Sequence, residues 1–160
     1  MTEEKQNEDA KSISISKIYV KDFSFESPKA PEVFRVTDWN PQTDLNLRST
    51  HKAIEGEEAL HEVVLTITVD AKDGDSTLFL VEIQQAGLFH IAGYEEEEFK
   101  AIVGSFCPNV LFPYAREAIA DCVSKGGFPE FILQPINFDA LYMQSQQQAA
   151  QQQSEEAEKH

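Results

Sequence analysis

Hydrophobic and polar residues alternate along the first two-thirds of the chain, and this period of two predicts β-strands. The segment 60–70 alternates most clearly, with Val63, Leu65, Ile67 and Val69 on one face. The segment 78–91 is a second long strand that is apolar on both faces over its first residues. Between these strands, the Asp-Gly dipeptide at residues 73–74 is typical of a hairpin turn.

Two further strands precede this hairpin. A short one is predicted at 44–48, and a longer one over 17–26 changes phase in its middle. Its apolar residues keep one parity as far as Val20 and the other parity from Phe23 onward. Such a change of phase predicts a β-bulge near residues 21–22.

The last third of the chain has a helical period. A short helix is predicted at 95–107 and a longer one at 109–125, which Gly126-Gly127 would end. Pro113 predicts a kinked or non-helical first turn in the longer helix, and Asn137 predicts the N-cap of a last helix. Strands followed by helices predict an α+β fold with a four-stranded antiparallel sheet.

Both ends of the chain have low sequence complexity. The polar residues 1–12 predict a disordered tail, and 13–143 predict one folded domain. The final residues 144–160 predict a Gln-rich helix extension followed by an acidic, flexible tail.

The formal net charge is −15, from 28 acidic and 13 basic residues. The segments 1–11 and 154–160 each carry −2, so most of the charge belongs to the folded domain. Such a surface disfavours nucleic acids and anionic membranes as partners and favours a basic protein. Solubility alone is the competing interpretation. No signal peptide or transmembrane run is visible, which predicts a cytoplasmic protein.

Signatures of catalysis are lacking in the sequence. There is no glycine-rich phosphate loop, no nucleophile elbow and no HExxH, so no cofactor, metal or enzymatic activity is expected. Cys107 and Cys122 are expected to be reduced and structural, and a cysteine nucleophile paired with His90 stays open as a minor alternative. The acidic run 95–98 suits the first turn of a helix.

Two features could bind proteins. Asp22, Glu26 and Glu82 have the parity opposite to the neighbouring core positions, so they would form either a docking surface or a solvated outer face. In addition, the segments without clear periodicity contain many aromatic residues, and a groove lined by some of them would suit an extended apolar peptide.

Several segments together resemble the family of the bacterial protein-export chaperone SecB, over about residues 13–145. They are Ile18–Glu26 (IYVKDFSFE), Glu62–Leu65, Val81–Gly87 (VEIQQAG), Cys107–Glu117 (CPNVLFPYARE), Gly127–Pro129 and Pro135–Leu141. The resemblance implies a sheet with a long helix and a C-terminal helix packed against it, assembled as a homotetramer that is a dimer of dimers. It also implies an ATP-independent chaperone that holds unfolded precursor proteins and delivers them to the motor SecA.

The resemblance also assigns residues to sites. SecA would dock on Asp22, Glu26, Leu80 and Glu82. The client-peptide groove would contain Trp39, Leu45, Leu47, Phe138, Leu141 and Tyr142. Val81 departs from the family because several relatives have a cysteine there, but an apolar group of similar size should preserve assembly.

Two other functions stay open. One is a SecB-like chaperone that serves a toxin–antitoxin system, which would differ mainly in its client. The other is a small hot-dog-like acyl thioesterase, for which Arg116-Glu117 would be the only charged pair within the long helix.

Overall fold

A four-stranded antiparallel sheet is the centre of the computed structural model, which describes residues 10–35 and 37–159. The strand order is β1-β4-β3-β2, so β1 and β2 are the two edges. The strands are β1 (Ser12–Glu26), β2 (Gln42–Ala53), β3 (Leu60–Asp73) and β4 (Ser76–Ala92). The connection between β1 and β2 crosses the sheet and contains a short 3-10 helix, Glu32–Arg35.

The predicted hairpin and bulge are both present. Gly74, with a φ of 62°, lies in the tight turn between β3 and β4. In β1 the pairing with β4 shifts between Val20 and Asp22, where the sequence changes phase, and again between Ile15 and Lys17. All four strands extend beyond their predicted limits, and β2 does so most, because it pairs with β3 along its whole length.

The two helices predicted at 95–107 and 109–125 form one continuous helical path, so the predicted break is wrong. The path consists of α1 (Glu96–Ala101), a π-helical segment (Ile102–Phe106) and α2 (Cys107–Lys125). The π segment is closed by Cys107, whose N–H donates to the Ile102 carbonyl, and Pro108, which has no N–H to donate, follows directly. Pro113 lies inside α2, so the prediction that it perturbs a first turn is also wrong.

The predicted helix ends are confirmed. Gly126 caps α2, and Gly127 follows with a φ of 88°, a conformation that suits glycine. The Asn137 side chain accepts a hydrogen bond from the Ala140 N–H at 3.0 Å, which caps α3 (Phe138–Glu158).

The structure describes the two terminal segments to different extents. The end of the chain, predicted to be flexible, is helical through Glu158, in keeping with the high helix propensity of Gln, Ala and Glu. Most of the predicted N-terminal tail, 1–9, lies outside the described residues, and β1 already begins at Ser12.

The core lies between one face of the sheet and α2. Alternate residues of β3 and β4 point into it, and α2 contributes residues one turn apart, which lie on one face of the helix. Fully buried residues of these three elements include Val63, Leu65, Ile67, Val69, Phe79, Val81, Ile83, Phe89, Leu111, Ala115, Ile119 and Val123. We call this side of the sheet the inner face and the opposite side the outer face. In the described residues, no helix has the length and hydropathy of a membrane span.

Candidate functional site

An open groove of about 750 Å³ lies on the inner side of the sheet, between β2, the π segment and α3. Its exposed lining is mainly apolar, and six polar or charged residues also contribute to it. The apolar lining residues are Leu47, Leu65, Val103, Gly104, Phe138, Leu141 and Tyr142. Four of the six predicted groove residues therefore meet in one cavity: Leu47, Phe138, Leu141 and Tyr142.

The start of α3 forms one wall of the groove and is fixed at several points. Phe138 is buried with its ring centroid 5.6 Å from that of Phe112 in α2. The Ser105 hydroxyl of the π segment donates a hydrogen bond to the Asp139 carboxylate. The opposite wall is β2, where Leu47 lies opposite Ile67 on the inner face. Leu141, one turn after Phe138 on this wall, is partly exposed.

Gly104 is a groove residue that sequence reasoning missed. A methyl group at this position would lie 2.6 Å from the Tyr142 Cδ2 atom, closer than atoms normally approach. The π segment and α3 can therefore come together only because residue 104 has no side chain. A glycine within an apolar helical run is the single sign of this in the sequence.

Trp39 and Leu45 do not line this groove. The Trp39 ring lies 5.6 Å from that of Phe128, and Phe34 lies 5.4 Å from the same ring. Leu45 lies on the inner face of β2, opposite Val69, and is 46% exposed. Trp39 thus belongs to a second, partly exposed apolar cluster with Phe34 and Phe128, and Leu45 is an exposed side chain of β2 outside the groove.

The four predicted docking residues lie together on the outer face. Glu26 pairs with Leu80 across β1 and β4, and Asp22 pairs with Gln84, two residues beyond Glu82. Asp22 and Glu26 are exposed, whereas Leu80 and Glu82 are half-buried. Glu82 is held by the Thr68 hydroxyl, which donates a hydrogen bond of 2.9 Å. Strand parity, read from the sequence, predicted the correct face for all three carboxylates.

The acidic surface continues beyond these residues onto β3 and β2. Asp70 pairs with Leu80, and Asp44 pairs with Asp70 on the adjacent strand. Lys72 lies between them, with its Nζ atom 3.3 Å from Asp44 and 3.6 Å from Asp70. The alternation within one strand could not predict that Asp44 and Asp70 lie beside the docking residues, because their proximity depends on the strand order and register.

A second feature of the outer face is the buried carboxylate of Glu62. It accepts hydrogen bonds from the Tyr19 hydroxyl and from the Lys21 ammonium, the latter at 2.8 Å. Burial raises the pKa of Tyr19 to about 12, and the bond to Glu62 acts in the same direction. Burial opposes ionisation of Glu62, but the two donors outweigh it and hold the pKa of this carboxyl below its usual 4.5.

Cys107 and His90 lie apart in the structure. Cys107 is fully buried, which raises its pKa to about 12, and His90 is exposed on the other face of the sheet. The hypothesis of a Cys107 nucleophile paired with His90 therefore has no geometric support. Across residues 10–35 and 37–159, no group of His, Cys, Asp and Glu is suited to hold a metal ion.

Comparisons with known proteins agree with this architecture. The family model described as preprotein translocase subunit SecB matches residues 5–149. A protein-export protein SecB of Nitrosococcus oceani is 54% identical over 136 residues, which cover 84% of this chain and 82% of the relative. Another, of Methylococcus capsulatus, is 51% identical over the full length of both chains.

A solved structure has the same fold at a much lower identity. It is a SecB-like chaperone of Mycobacterium tuberculosis in complex with a peptide from an antitoxin. The identity is 18% and the TM-score 0.65, and the match covers 78% of this chain and 90% of the other. The family model and the two relatives carry the assignment: the chain belongs to the SecB family of preprotein translocase subunits.

Proposed function

We propose that this protein is an ATP-independent chaperone of protein export that binds unfolded precursors on one side of its sheet and SecA on the other. Membership of the SecB family makes it an export chaperone, and we place it in the cytoplasm. The observation that carries the proposal is the division between an apolar groove and a charged outer face.

The groove suits an unfolded client because its contacts are apolar and require no particular side chain. Leu47, Leu141 and Tyr142 present apolar surface to a peptide, while the buried Phe138 and Val103 keep the walls in place. A native protein has such side chains in its own core, so only the unfolded form can offer them. Each contact is weak, and several grooves on one assembly would hold a long chain through avidity.

We further propose that the functional unit is a homotetramer, a dimer of dimers. Ile15, Val20 and Phe23 are large apolar side chains on the edge strand β1, and each is at least 40% exposed. Phe106 and Tyr114 are similarly exposed on the helical path. Exposed apolar side chains in such number on one protomer favour burial between copies of the chain.

For SecA, the proposed site is the cluster of Asp22, Glu26, Leu80 and Glu82. Carboxylates beside a half-buried leucine suit a basic and partly apolar partner surface. Two of these carboxylates are exposed, so they can form new ion pairs without breaking ion pairs in the described part of the chain.

A holdase assay tests the proposed function. The purified protein is mixed, without nucleotide, with a precursor protein that is either diluted from denaturant or already native. We expect stable complexes and suppressed aggregation with the unfolded precursor, and no complex with the native one. Equal binding of both forms, or a requirement for ATP, would contradict the proposal. Light scattering in the same buffer should give a mass near four times 18.0 kDa.

A further inference from the structure

The charges of the outer face change along the strands, from mainly negative at one end of the sheet to mainly positive at the other. Across β2, β3, β4 and β1 the paired rows are Asp44, Asp70, Leu80 and Glu26; Asn46, Thr68, Glu82 and Ser24; Arg48, Thr66, Gln84 and Asp22; Thr50, Val64, Ala86 and Tyr19; and Lys52, Glu62, Leu88 and Lys17. The first row has three carboxylates, and the last has two ammonium groups and one carboxylate. These rows are about 27 Å apart, at 3.4 Å per residue.

A pocket of about 350 Å³ lies toward the last row, on the β2 and β3 side. Lys21, Arg48 and Lys52 line it together with Glu62, which gives the pocket a formal charge of +2 in a chain of net charge −15. Such a concentration of cations contrasts with the rest of this acidic chain. Its lining also includes His51 and neutral polar groups, the side chains of Thr50, Thr66 and Gln84.

The three cations of the pocket lie at different distances from the Glu62 carboxylate. Lys21 donates to it at 2.8 Å, whereas the Lys52 Nζ atom is 3.8 Å away. Arg48 is exposed, and within the described part of the chain it has no carboxylate oxygen within 4.0 Å. A guanidinium has five N–H donors in a planar fork that matches a carboxylate. Arg48 is therefore the group that can bind an external anion, with Lys52 beside it.

We propose that this pocket, through Arg48 and Lys52, binds an acidic side chain of the same partner that docks on Asp22, Glu26 and Glu82. The inference rests on the proposed docking of SecA on the outer face. An acidic surface alone attracts a basic partner but leaves its rotation on the sheet undefined. A positive pocket beside the acidic surface fixes one orientation, because the reversed orientation would place like charges against each other.

The occupant is a carboxylate of that partner rather than a free polyanion. Glu62 at the pocket is ionised at neutral pH, and it would repel a highly charged phosphate more strongly than a single carboxylate. A partner already held by the acidic surface also presents its carboxylate at a high effective concentration.

Reversal of the charge of Arg48 tests the proposal, because local and overall electrostatics predict opposite results. Arg48→Glu changes the net charge by two units toward negative. If general attraction to a basic partner were all that mattered, SecA would bind this variant more tightly. If the pocket binds a partner carboxylate, we expect the Kd for SecA to rise about tenfold at low salt, as for loss of one charge-assisted hydrogen-bonded pair.

Lys125→Glu is the matched control, since it makes the same charge change at an exposed site near the end of α2. Its Kd for SecA should stay within about twofold of the parent value. Arg48→Gln provides a milder variant without a new negative charge, and its Kd should lie between those of the parent and Arg48→Glu. Native mass and thermal unfolding show whether each variant retains the assembly.

Atoms of Arg48 also line the groove, because β2 is an edge strand, so client binding is measured in parallel. An unchanged or tighter Kd of Arg48→Glu for SecA would overturn the proposal. Lys52→Glu repeats the test at a pocket residue that does not line the groove, and a normal Kd of that variant for SecA would overturn the proposal too. A change of native mass in either variant would also overturn it, because the residue would then serve a contact between copies. Glu82→Lys distinguishes failure of the pocket proposal from failure of the proposed docking site. If SecA binds Glu82→Lys with the parent affinity, the docking site itself is wrong, independently of the result for Arg48→Glu.

Discussion

The two faces of the sheet are built from the same four strands but differ in what determines their residues. On the inner face, Val63, Ile67 and Val81 are fully buried by the helices. On the outer face, Thr68 of β3 pairs with Glu82 of β4, and Asp22 of β1 pairs with the nearby Gln84. These side chains remain accessible to solvent. Packing requires apolar side chains on the inner face, whereas at the exposed positions of the outer face a partner is what can require a particular residue.

This difference separates the two proposed activities. In our proposal a client in the groove contacts the inner side of β2 and α3, and SecA contacts the outer face of the sheet. The sheet backbone lies between the two surfaces, so a substitution on one face should leave the other unchanged. Four predictions test how far this separation holds.

The largest expected effect is on the core of the inner face. Leu111→Ala removes a fully buried side chain that α2 packs against the sheet. We expect the free energy of unfolding to fall by about 2–5 kcal/mol, from the lost burial and the cavity left behind. Urea unfolding at a fixed protein concentration measures it. Ile132→Ala, at a side chain that is 55% exposed, is the control and should change the value by less than about 0.5 kcal/mol.

The next effect concerns the groove. Leu141→Asp places a carboxylate where an apolar client side chain would bind, so the Kd for an unfolded precursor should rise about tenfold. Met143→Asp is a matched control, because Met143 is 61% exposed on the same helix and does not line the groove. Similar losses in both variants would mean that charge on α3, and not the groove, governs client binding.

A smaller effect is expected from the buried carboxylate of the outer face. The pKa of Glu62 is lower in the folded protein than in the unfolded chain, so its ionised form stabilises the fold. This contribution is fully present above pH 4.5 and is lost as the pH falls through the folded pKa. Glu62→Gln should therefore flatten the loss of stability between pH 5 and pH 3, approximately the range in which carboxyls titrate.

Thermal unfolding across this pH range measures the effect of Glu62→Gln. Glu97→Gln, at an exposed position in the first turn of α1, is the control. Its unfolding temperature should fall with pH almost as steeply as that of the parent protein. If the Glu62→Gln variant kept the full slope, the hydrogen bonds from Tyr19 and Lys21 would not be the source of the pH dependence.

The sequence predicted best where burial imposes a period on the residues. Alternation in β3 identified the core-facing side chains, and Asn137 and Gly127 marked helix ends because their side-chain and backbone chemistry suits those positions. The extent of β2 could not be predicted, since almost all its side chains are exposed and only Leu45 and Leu47 showed the alternation. Its length is set by pairing with β3, which no local pattern reports.

The helical path and the site residues also depend on contacts that no local sequence pattern reports. The break predicted between the two helices is absent, because the π segment continues the helical path with a different hydrogen-bond pattern. In the groove, Gly104 matters because the Tyr142 ring approaches it, and that contact joins residues distant in sequence. Arg48 belongs to the outer-face site only through the register of β2 on β3. Family resemblance, not periodicity, selected four of the residues that meet in the groove.

The separation of the two faces is tested most directly by the affinities of Glu82→Lys for SecA and for an unfolded precursor, measured beside those of Leu141→Asp. We expect Glu82→Lys to weaken SecA binding about tenfold or more, because a cation replaces a carboxylate, and to leave client binding unchanged. Leu141→Asp should show the opposite pattern. Equal loss of both affinities in either variant, with the fold and native mass intact, would contradict the assignment of client and SecA to opposite faces of the sheet.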